Sequence, residues 1–165
     1  MKRILIVCLL TCVLTGCANS SFETVMDTMP LILKDVPKEI QLQLPPGAAQ
    51  PVFENENTEK LYFCDGYEII IQTVDGGDLQ KTVKDISGYD TENLAILETM
   101  HGDLKKYEFV WIAAGENGDR VGRTAVLDDG DYHYILSVIA DAQLSGQLRQ
   151  TWQDIFSTFT VVSIA

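Results

Sequence analysis

The fold is decided by residues 106–140, KYEFVWIAAGENGDRVGRTAVLDDGDYHYILSVIA. This stretch contains three mainly apolar runs, 106–114, 120–127 and 132–140, and the connections between them contain Gly beside Asn or Asp. Such connections favour tight turns, and strands joined by tight turns are antiparallel neighbours. The stretch therefore predicts a meander of antiparallel strands at the centre of the protein.

Side chains alternate between the two faces of a strand, and both faces of the run 106–114 are largely apolar. Tyr107, Phe109 and Trp111 fall on one face, whereas Val110 and Ile112 fall on the other. A strand that is apolar on both sides is typical of a sheet with a layer on each face. We therefore expect both faces of this strand to be covered.

The chain before the meander is also rich in strand signals. Asp65-Gly66 is a two-residue hairpin signal between two apolar runs. The segment 95–100 adds another strand in front of the meander. The strands predicted upstream of the meander are 40–44, 61–64, 67–74 and 95–100.

Two amphipathic helices are predicted. The first follows Asp78 as N-cap, places Leu79, Val83 and Ile86 on one narrow stripe, and ends at Gly88. The second follows Asp141 as N-cap and precedes a short final strand over 160–164. Its broad apolar stripe is suited to packing on a sheet and comprises Leu144, Leu148, Trp152, Ile155, Phe156 and Phe159.

A meander that ends in YHYILSV (132–138), followed by a helix that closes with WQDIFSTF (152–159), resembles the PsbP-like superfamily. The resemblance covers about residues 40–165 in the order of elements. It implies an α+β fold: an antiparallel sheet of about six or seven strands packed with two main helices as an α/β/α sandwich, in one domain over 37–165. Members include photosystem accessory proteins, a nuclear transport partner and exported bacterial lipoproteins. They are mostly binding or assembly factors, and the superfamily has no catalytic motif to carry over.

The N-terminus has the pattern of a secretory signal. Lys2 and Arg3 precede an apolar run over 4–14, which at 11 residues is shorter than the roughly 20 needed to cross a bilayer. Leu14-Thr15-Gly16-Cys17 then resembles the lipobox of bacterial lipoproteins. The resemblance implies a lipoprotein signal peptide over 1–16, fatty acylation of Cys17 with chains such as palmitate, and a tether over 17–36. The expected location is extracytoplasmic, with the chain anchored to the cell membrane by its N-terminal lipid.

The charge of the chain excludes one class of partner. The 165 residues include 24 acidic and 12 basic ones, and loss of Lys2 and Arg3 with the signal would leave a net charge of −14. Nucleic-acid binding needs a basic patch, and the longest basic run in the remainder is Lys105-Lys106. We therefore expect no nucleic-acid partner, and we expect the lipid rather than surface charge to hold the protein at the membrane.

Cysteine usage excludes an intrachain disulfide in the exported domain. Cys8 and Cys12 belong to the signal and Cys17 would carry lipid, which leaves Cys64. Because Cys64 lies in a predicted strand with no neighbouring His or Lys, we interpret it as a buried apolar residue rather than a reactive thiol.

The sequence contains one weak candidate for a metal site and no other pattern typical of a chemical site. Asp128, Asp129 and Asp131 flank Gly130 in one turn, and three carboxylates there could hold calcium. An ordinary hairpin turn is the favoured interpretation, because the twelve-residue calcium loop and its final Glu are missing. His101 and His133 have no second ligand at metal spacing and are interpreted as structural. We predict no catalytic residue, no metal and no cofactor.

The leading hypothesis is a non-enzymatic, membrane-anchored module that binds or assembles a protein or a small molecule. The alternative is a small cell-envelope hydrolase that uses paired carboxylates, and a third possibility is a calcium-dependent surface protein. A concave pocket with converging carboxylates would favour the hydrolase, whereas an apolar surface would favour a binding module.

Overall fold

The computed structural model describes residues 34–48, 50–55, 59–115 and 118–164. The predicted signal peptide, Cys17 and most of the predicted tether lie outside these residues. The described residues contain a 3₁₀ turn at Thr91–Asn93 and three α-helices: α1 (Leu79–Ser87), α2 (Ala142–Ser145) and α3 (Arg149–Ser157). They form nine strands: β1 (Glu39–Gln41), β2 (Phe53–Glu54), β3 (Glu59–Cys64), β4 (Tyr67–Asp75), β5 (Leu97–His101), β6 (Leu104–Gly115), β7 (Gly118–Asp128), β8 (Tyr132–Asp141) and β9 (Thr160–Val162).

Seven strands form one antiparallel sheet in the order β2-β3-β4-β8-β7-β6-β5. The predicted meander is confirmed, because β5 to β8 are neighbours in chain order. The hairpin of β3 and β4 joins the sheet on the far side of β8, where Tyr67 lies opposite Ala140 and Asp75 opposite Tyr132. β1 and β9 pair separately, with Glu39 opposite Val162.

Helices cover the two faces of the sheet. On one face, Trp152 and Phe156 of α3 pack in a core with Leu136 of β8. On the other face, Val83 of α1 is fully buried in a second core that includes Ile135. The predicted α+β class and its α/β/α layering are confirmed. Within the described part of the chain, no helix has the length and apolar composition needed to cross a membrane.

The second predicted helix is interrupted. The chain forms α2 and α3 as separate helices, and the backbone N–H groups of Gln147 and Leu148 both bond to the carbonyl of Leu144 in the turn between them. Gly146 weakens a continuous helix at this point because it has the largest conformational freedom to lose. The prediction of Asp141 as the N-cap is confirmed in position, since Asp141 ends β8 and immediately precedes α2, although its side chain makes no capping hydrogen bond.

The first predicted strand, 40–44, is shorter than expected. β1 stops at Gln41, because its partner β9 begins at Thr160, directly opposite. The N–H of Gln43 then bonds to the Thr158 hydroxyl instead of to a strand. The alternation still has a physical role, since Ile40 and its alternate neighbours Leu42 and Leu44 pack at the border of the α3-side core.

The expectation that both faces of β6 are covered is wrong. Tyr107 and Trp111 are buried on the α1 side, but Val110 and Ile112 on the other face are 53% and 50% exposed. The α3-side core takes its sheet residues mainly from β4, β7 and β8, and the short helix α3 leaves this part of β6 uncovered.

Candidate functional site

A cavity of about 630 Å³ lies beside α1, on the face of the sheet that this helix only partly covers. Its volume falls within the range of roughly 300–1,000 Å³ that is typical of small-molecule sites. One wall is the α1 surface that carries Lys81, Thr82, Asp85 and Ile86. The floor is formed by strands β4, β6 and β8, through Ile70, Gln72, Trp111, Ile135, Ser137 and Ile139.

The limits of α1 define this cavity. The Asp78 carboxylate accepts the N–H of Lys81 at 2.9 Å, and Gly88, at a φ of 79°, ends the helix with its N–H on the carbonyl of Lys84 at 2.8 Å. The predicted cap and the predicted end are both confirmed. Nine residues make a helix of about 14 Å. So short a helix leaves part of the apolar floor open.

The floor is held by a buried polar chain that starts at Trp111. Its indole ring lies against Gly122 on β7, where a Cβ atom would be only 2.3 Å from ring carbon Cε2. The indole N–H donates to the Thr124 hydroxyl at 3.1 Å, and this hydroxyl lies 2.9 Å from that of Ser137. Because the glycine admits the ring and the hydrogen bond orients it, the cavity is pre-formed in this region.

The acidic groups at the rim of the cavity all have partners. Asp75 forms an ion pair with Lys34, and this hydrogen bond lowers the pKa of the Asp75 carboxyl. Asp85 accepts a hydrogen bond from Lys81 at 2.6 Å, and Asp78 caps α1. Each of these three carboxylates is therefore engaged by another group of the protein. The cavity thus combines a largely apolar floor with a charged rim whose acidic groups already have partners, an arrangement suited to binding a small molecule.

His133 lies beneath α1, next to the cavity. Its Nδ1 atom is 2.8 Å from the Thr82 hydroxyl, and the residue is 1% exposed. Burial lowers the pKa of His133 below its usual 6.5, although the charges of nearby aspartates raise it. The imidazole is therefore neutral at physiological pH and ties α1 to β8. His101 lies apart from this site, with its Nε2 atom 3.3 Å from the Thr160 hydroxyl.

The three aspartates singled out as weak metal candidates bond to the protein itself. Asp128 accepts the N–H of Gly130 at 2.8 Å, and Asp131 accepts the N–H of Asp35 at 3.1 Å. Asp129 accepts four hydrogen bonds and pairs with Lys38. The described residues contain no group of three or more His, Cys, Asp or Glu side chains placed to hold a metal ion.

Asp129 is the most strongly held of the three. Burial alone would raise the pKa of its carboxyl, but hydrogen bonds from Lys38, from the Tyr132 backbone and from the Tyr134 hydroxyl together lower it. Burial of the neighbouring Tyr134 hydroxyl raises its pKa to about 12. This turn thus joins the segment that leads into β1 to the β7–β8 connection.

Cys64 is half-buried at the end of β3. Burial raises the pKa of its thiol, although a hydrogen bond with Tyr67 lowers it. The residue is therefore a protonated thiol at neutral pH, a state that does not favour nucleophilic chemistry. Cys17 lies outside the described residues.

No local sequence pattern indicates which residues form the cavity. Thr124 and Ser137 are polar residues inside otherwise apolar strands, and that was the available signal. The role of these polar residues depends on the strand register, which places Ser137 opposite Thr124 on β7 and opposite Ile70 on β4.

Comparisons with known proteins show the fold. No family model matches the chain, and no curated protein matches it in sequence. The solution structure of cyanobacterial PsbP (CyanoP) from Synechocystis sp. PCC 6803 matches with a TM-score of 0.52 at 10% identity, covering 90% of this chain and 99% of that one. A crystal structure of a protein from Bacteroides thetaiotaomicron matches with a TM-score of 0.51 at 10% identity over 75% of this chain, which spans 45% of that protein. The domain therefore has the PsbP-like fold.

Proposed function

We propose that this protein is a membrane-anchored, extracytoplasmic binding module that holds a small, largely apolar ligand in the cavity beside α1. The observation that carries the proposal is the 630 Å³ cavity itself, with its apolar floor and the indole of Trp111 held in place by Thr124. Sites for small molecules are largely pre-formed and apolar, with a few placed polar groups. The signal at the N-terminus supports the location, since Leu14-Thr15-Gly16-Cys17 is placed as a lipobox would be.

The hydrolase alternative has less support. A glycosidase-type pair needs two carboxyl groups flanking the scissile bond, with one of them protonated to act as the acid. Asp75 is instead paired with Lys34, and Asp85 with Lys81. The pair with Lys34 lowers the pKa of the Asp75 carboxyl, which disfavours its protonated form.

Ligand binding is tested by thermal unfolding of the purified chain against a panel of small apolar compounds. A ligand at 100 times its dissociation constant should stabilise the protein by about 2.7 kcal/mol. The shift should be lost in Ile70→Asn, which places an amide in the floor of the cavity, and retained in Val110→Asn on the opposite face of the sheet. Equal loss in both variants, or no shift with any compound, would argue against a small ligand and favour a protein partner.

Lipidation is tested by labelling cells that express the full-length chain with a radioactive fatty acid. The wild-type protein should carry the label and fractionate with membranes, because two or more acyl chains anchor a protein stably. Cys17→Ser should lose both label and membrane association, whereas Cys64→Ser, which changes a half-buried cysteine of the domain, should keep both. Label that survives in Cys17→Ser would refute the anchor.

A further inference from the structure

The polar chain under the cavity contains one hydrogen that its own hydrogen bonds do not use. The Trp111 indole, the Thr124 hydroxyl and the Ser137 hydroxyl supply three hydrogens, but only two hydrogen bonds join them. The indole nitrogen can only donate, so its hydrogen goes to Thr124. Among the described residues, the structure gives the remaining hydroxyl hydrogen no acceptor.

That hydrogen belongs to Ser137. If Ser137 donated to Thr124, the hydrogen of Thr124 would be left without an acceptor at a residue that is 0% exposed. A buried donor without a partner costs about 1–3 kcal/mol. If Thr124 donates instead, the free hydrogen is on Ser137, which lines the cavity and can be satisfied there. The second arrangement is therefore favoured.

The surroundings of Ser137 make this donor selective. Ile135 and Ile139 flank it on β8 and Ile70 lies opposite it on β4, all lining the same cavity. The other polar side chain of the floor, Gln72, already donates to a side chain of β3, so a ligand gains most by placing one acceptor atom at the Ser137 hydroxyl among these isoleucines. Binding sites for small molecules gain specificity from such isolated polar groups.

The charged groups at the rim of the cavity disfavour a negatively charged acceptor. Asp75, Asp78 and Asp85 border the cavity against Lys81, with Lys34 paired to Asp75 at its edge. Because three carboxylates face two ammonium groups and the floor is apolar, an anion would meet both repulsion and desolvation. The acceptor that fits is an uncharged oxygen.

We propose that the cavity takes a compact apolar ligand with an uncharged carbonyl oxygen that accepts a hydrogen bond from Ser137. This inference rests on the proposed function and specifies its ligand class. The ligand body lies on the apolar floor beside Trp111, and the carbonyl reaches the centre of that floor. A two-ring ketone is small enough for a cavity of 630 Å³.

The test compares 2-acetylnaphthalene with 2-ethylnaphthalene, in which a methylene replaces the carbonyl, and with the anion 2-naphthoate. The chain has two tryptophans, and Trp152 lies in the opposite core, so its indole N–H resonance is an internal control for that of Trp111. Both uncharged compounds should shift the Trp111 resonance and leave that of Trp152 in place. The naphthoate should bind more weakly than the ketone.

The decisive comparison uses Ser137→Ala, with Ser157→Ala, a change at an exposed serine of α3, as the matched control. Ser137→Ala should weaken binding of the ketone about fivefold, the size of one net hydrogen bond, and change affinity for the ethyl compound less than twofold. Ser157→Ala should change neither. Two outcomes would show that the carbonyl inference is wrong while ligand binding stands. In the first, both uncharged compounds bind, and Ser137→Ala weakens neither of them or weakens both equally. In the second, the naphthoate binds as tightly as the ketone. If neither compound shifts Trp111 in the wild-type protein, the inference and the proposed ligand site both fail.

Discussion

Asp129→Ala should destabilise the protein by about 3 kcal/mol, because removing one member of a buried charged network leaves its partners without acceptors. The Asp129 carboxylate accepts the Tyr132 N–H at 2.8 Å and the Asp131 N–H at 3.1 Å through one oxygen. Its other oxygen accepts the Tyr134 hydroxyl at 2.8 Å and the Lys38 ammonium at 2.7 Å. The side chain of Asp129 is 10% exposed and that of Lys38 is 31% exposed. Because Lys38 is partly solvated, the expected loss of stability lies at the low end of the range for buried ion pairs. Urea unfolding measures it.

Asp103→Ala is the matched control, because Asp103 is an exposed aspartate in the turn between β5 and β6. Its free energy of unfolding should stay within about 0.5 kcal/mol of the wild-type value. Equal stability of Asp129→Ala and Asp103→Ala would show that the network contributes nothing, and the calcium hypothesis for this turn would then deserve a direct titration.

The effect of Asp129 should also depend on pH. Its carboxyl has a lowered pKa in the folded protein, so the stabilisation is present above the unfolded value of about 3.9 and is lost as pH falls through the folded pKa. The stability difference between wild type and Asp129→Ala should therefore be constant from about pH 5 to 8 and shrink below about pH 4. A difference that stays constant down to pH 2 would contradict the assigned contacts.

Gly122→Ala should destabilise the protein by about 3 kcal/mol, at the upper end of ordinary overpacking. The added Cβ would lie 2.3 Å and 2.4 Å from two atoms of the Trp111 indole, so the ring must leave its position. The indole would then lose its hydrogen bond to Thr124, and the floor of the cavity would be displaced. Thermal unfolding gives the stability, and the indole N–H resonance of Trp111 reports the displacement.

Two variants separate this clash from a general intolerance of alanine. Gly146→Ala has no atom within 4 Å of its new Cβ and an ordinary helical backbone, so its stability should be unchanged or raised by up to about 1 kcal/mol. In a Trp111→Leu background, Gly122→Ala should cost less than about 1 kcal/mol, because the ring it meets is gone. If Gly122→Ala costs as much in the Trp111→Leu background as in the wild-type protein, the clash with the indole is not the cause.

Local patterns were sufficient for most of the secondary structure. The alternation of Tyr107, Phe109 and Trp111 predicts β6, and Asp78 with Gly88 predicts both ends of α1, because these signals act over one or two turns of backbone. Between Leu144 and Arg149, the continuous apolar stripe predicts one helix, but the chain forms two. Periodicity indicates which side chains are buried, and it does not indicate where the backbone leaves the helical hydrogen-bond pattern.

The candidate site could not be predicted from local patterns. Trp111 and Ser137 meet through Thr124 across three strands, and Ile70 joins them from a hairpin much earlier in the chain. The sequence offers Asp129 as a ligand for calcium, yet its carboxylate holds Lys38, which lies 91 residues away. The polarity of these residues was visible in the sequence, but their partners were not.

The amino-acid sequence was sufficient to establish the acidic charge and the lipobox-like pattern that ends at Cys17, and to predict the α+β class, the meander and the two amphipathic helical regions. These are consequences of composition and of contacts between near neighbours. Three features depend on the three-dimensional fold: β4 pairs with β8, α1 leaves a cavity open, and the Ser137 hydroxyl lines that cavity 2.9 Å from the hydroxyl of Thr124. The physical reason is that a binding site depends on the register between distant strands and on the reach of a helix across a sheet. Both are set by how the whole core packs.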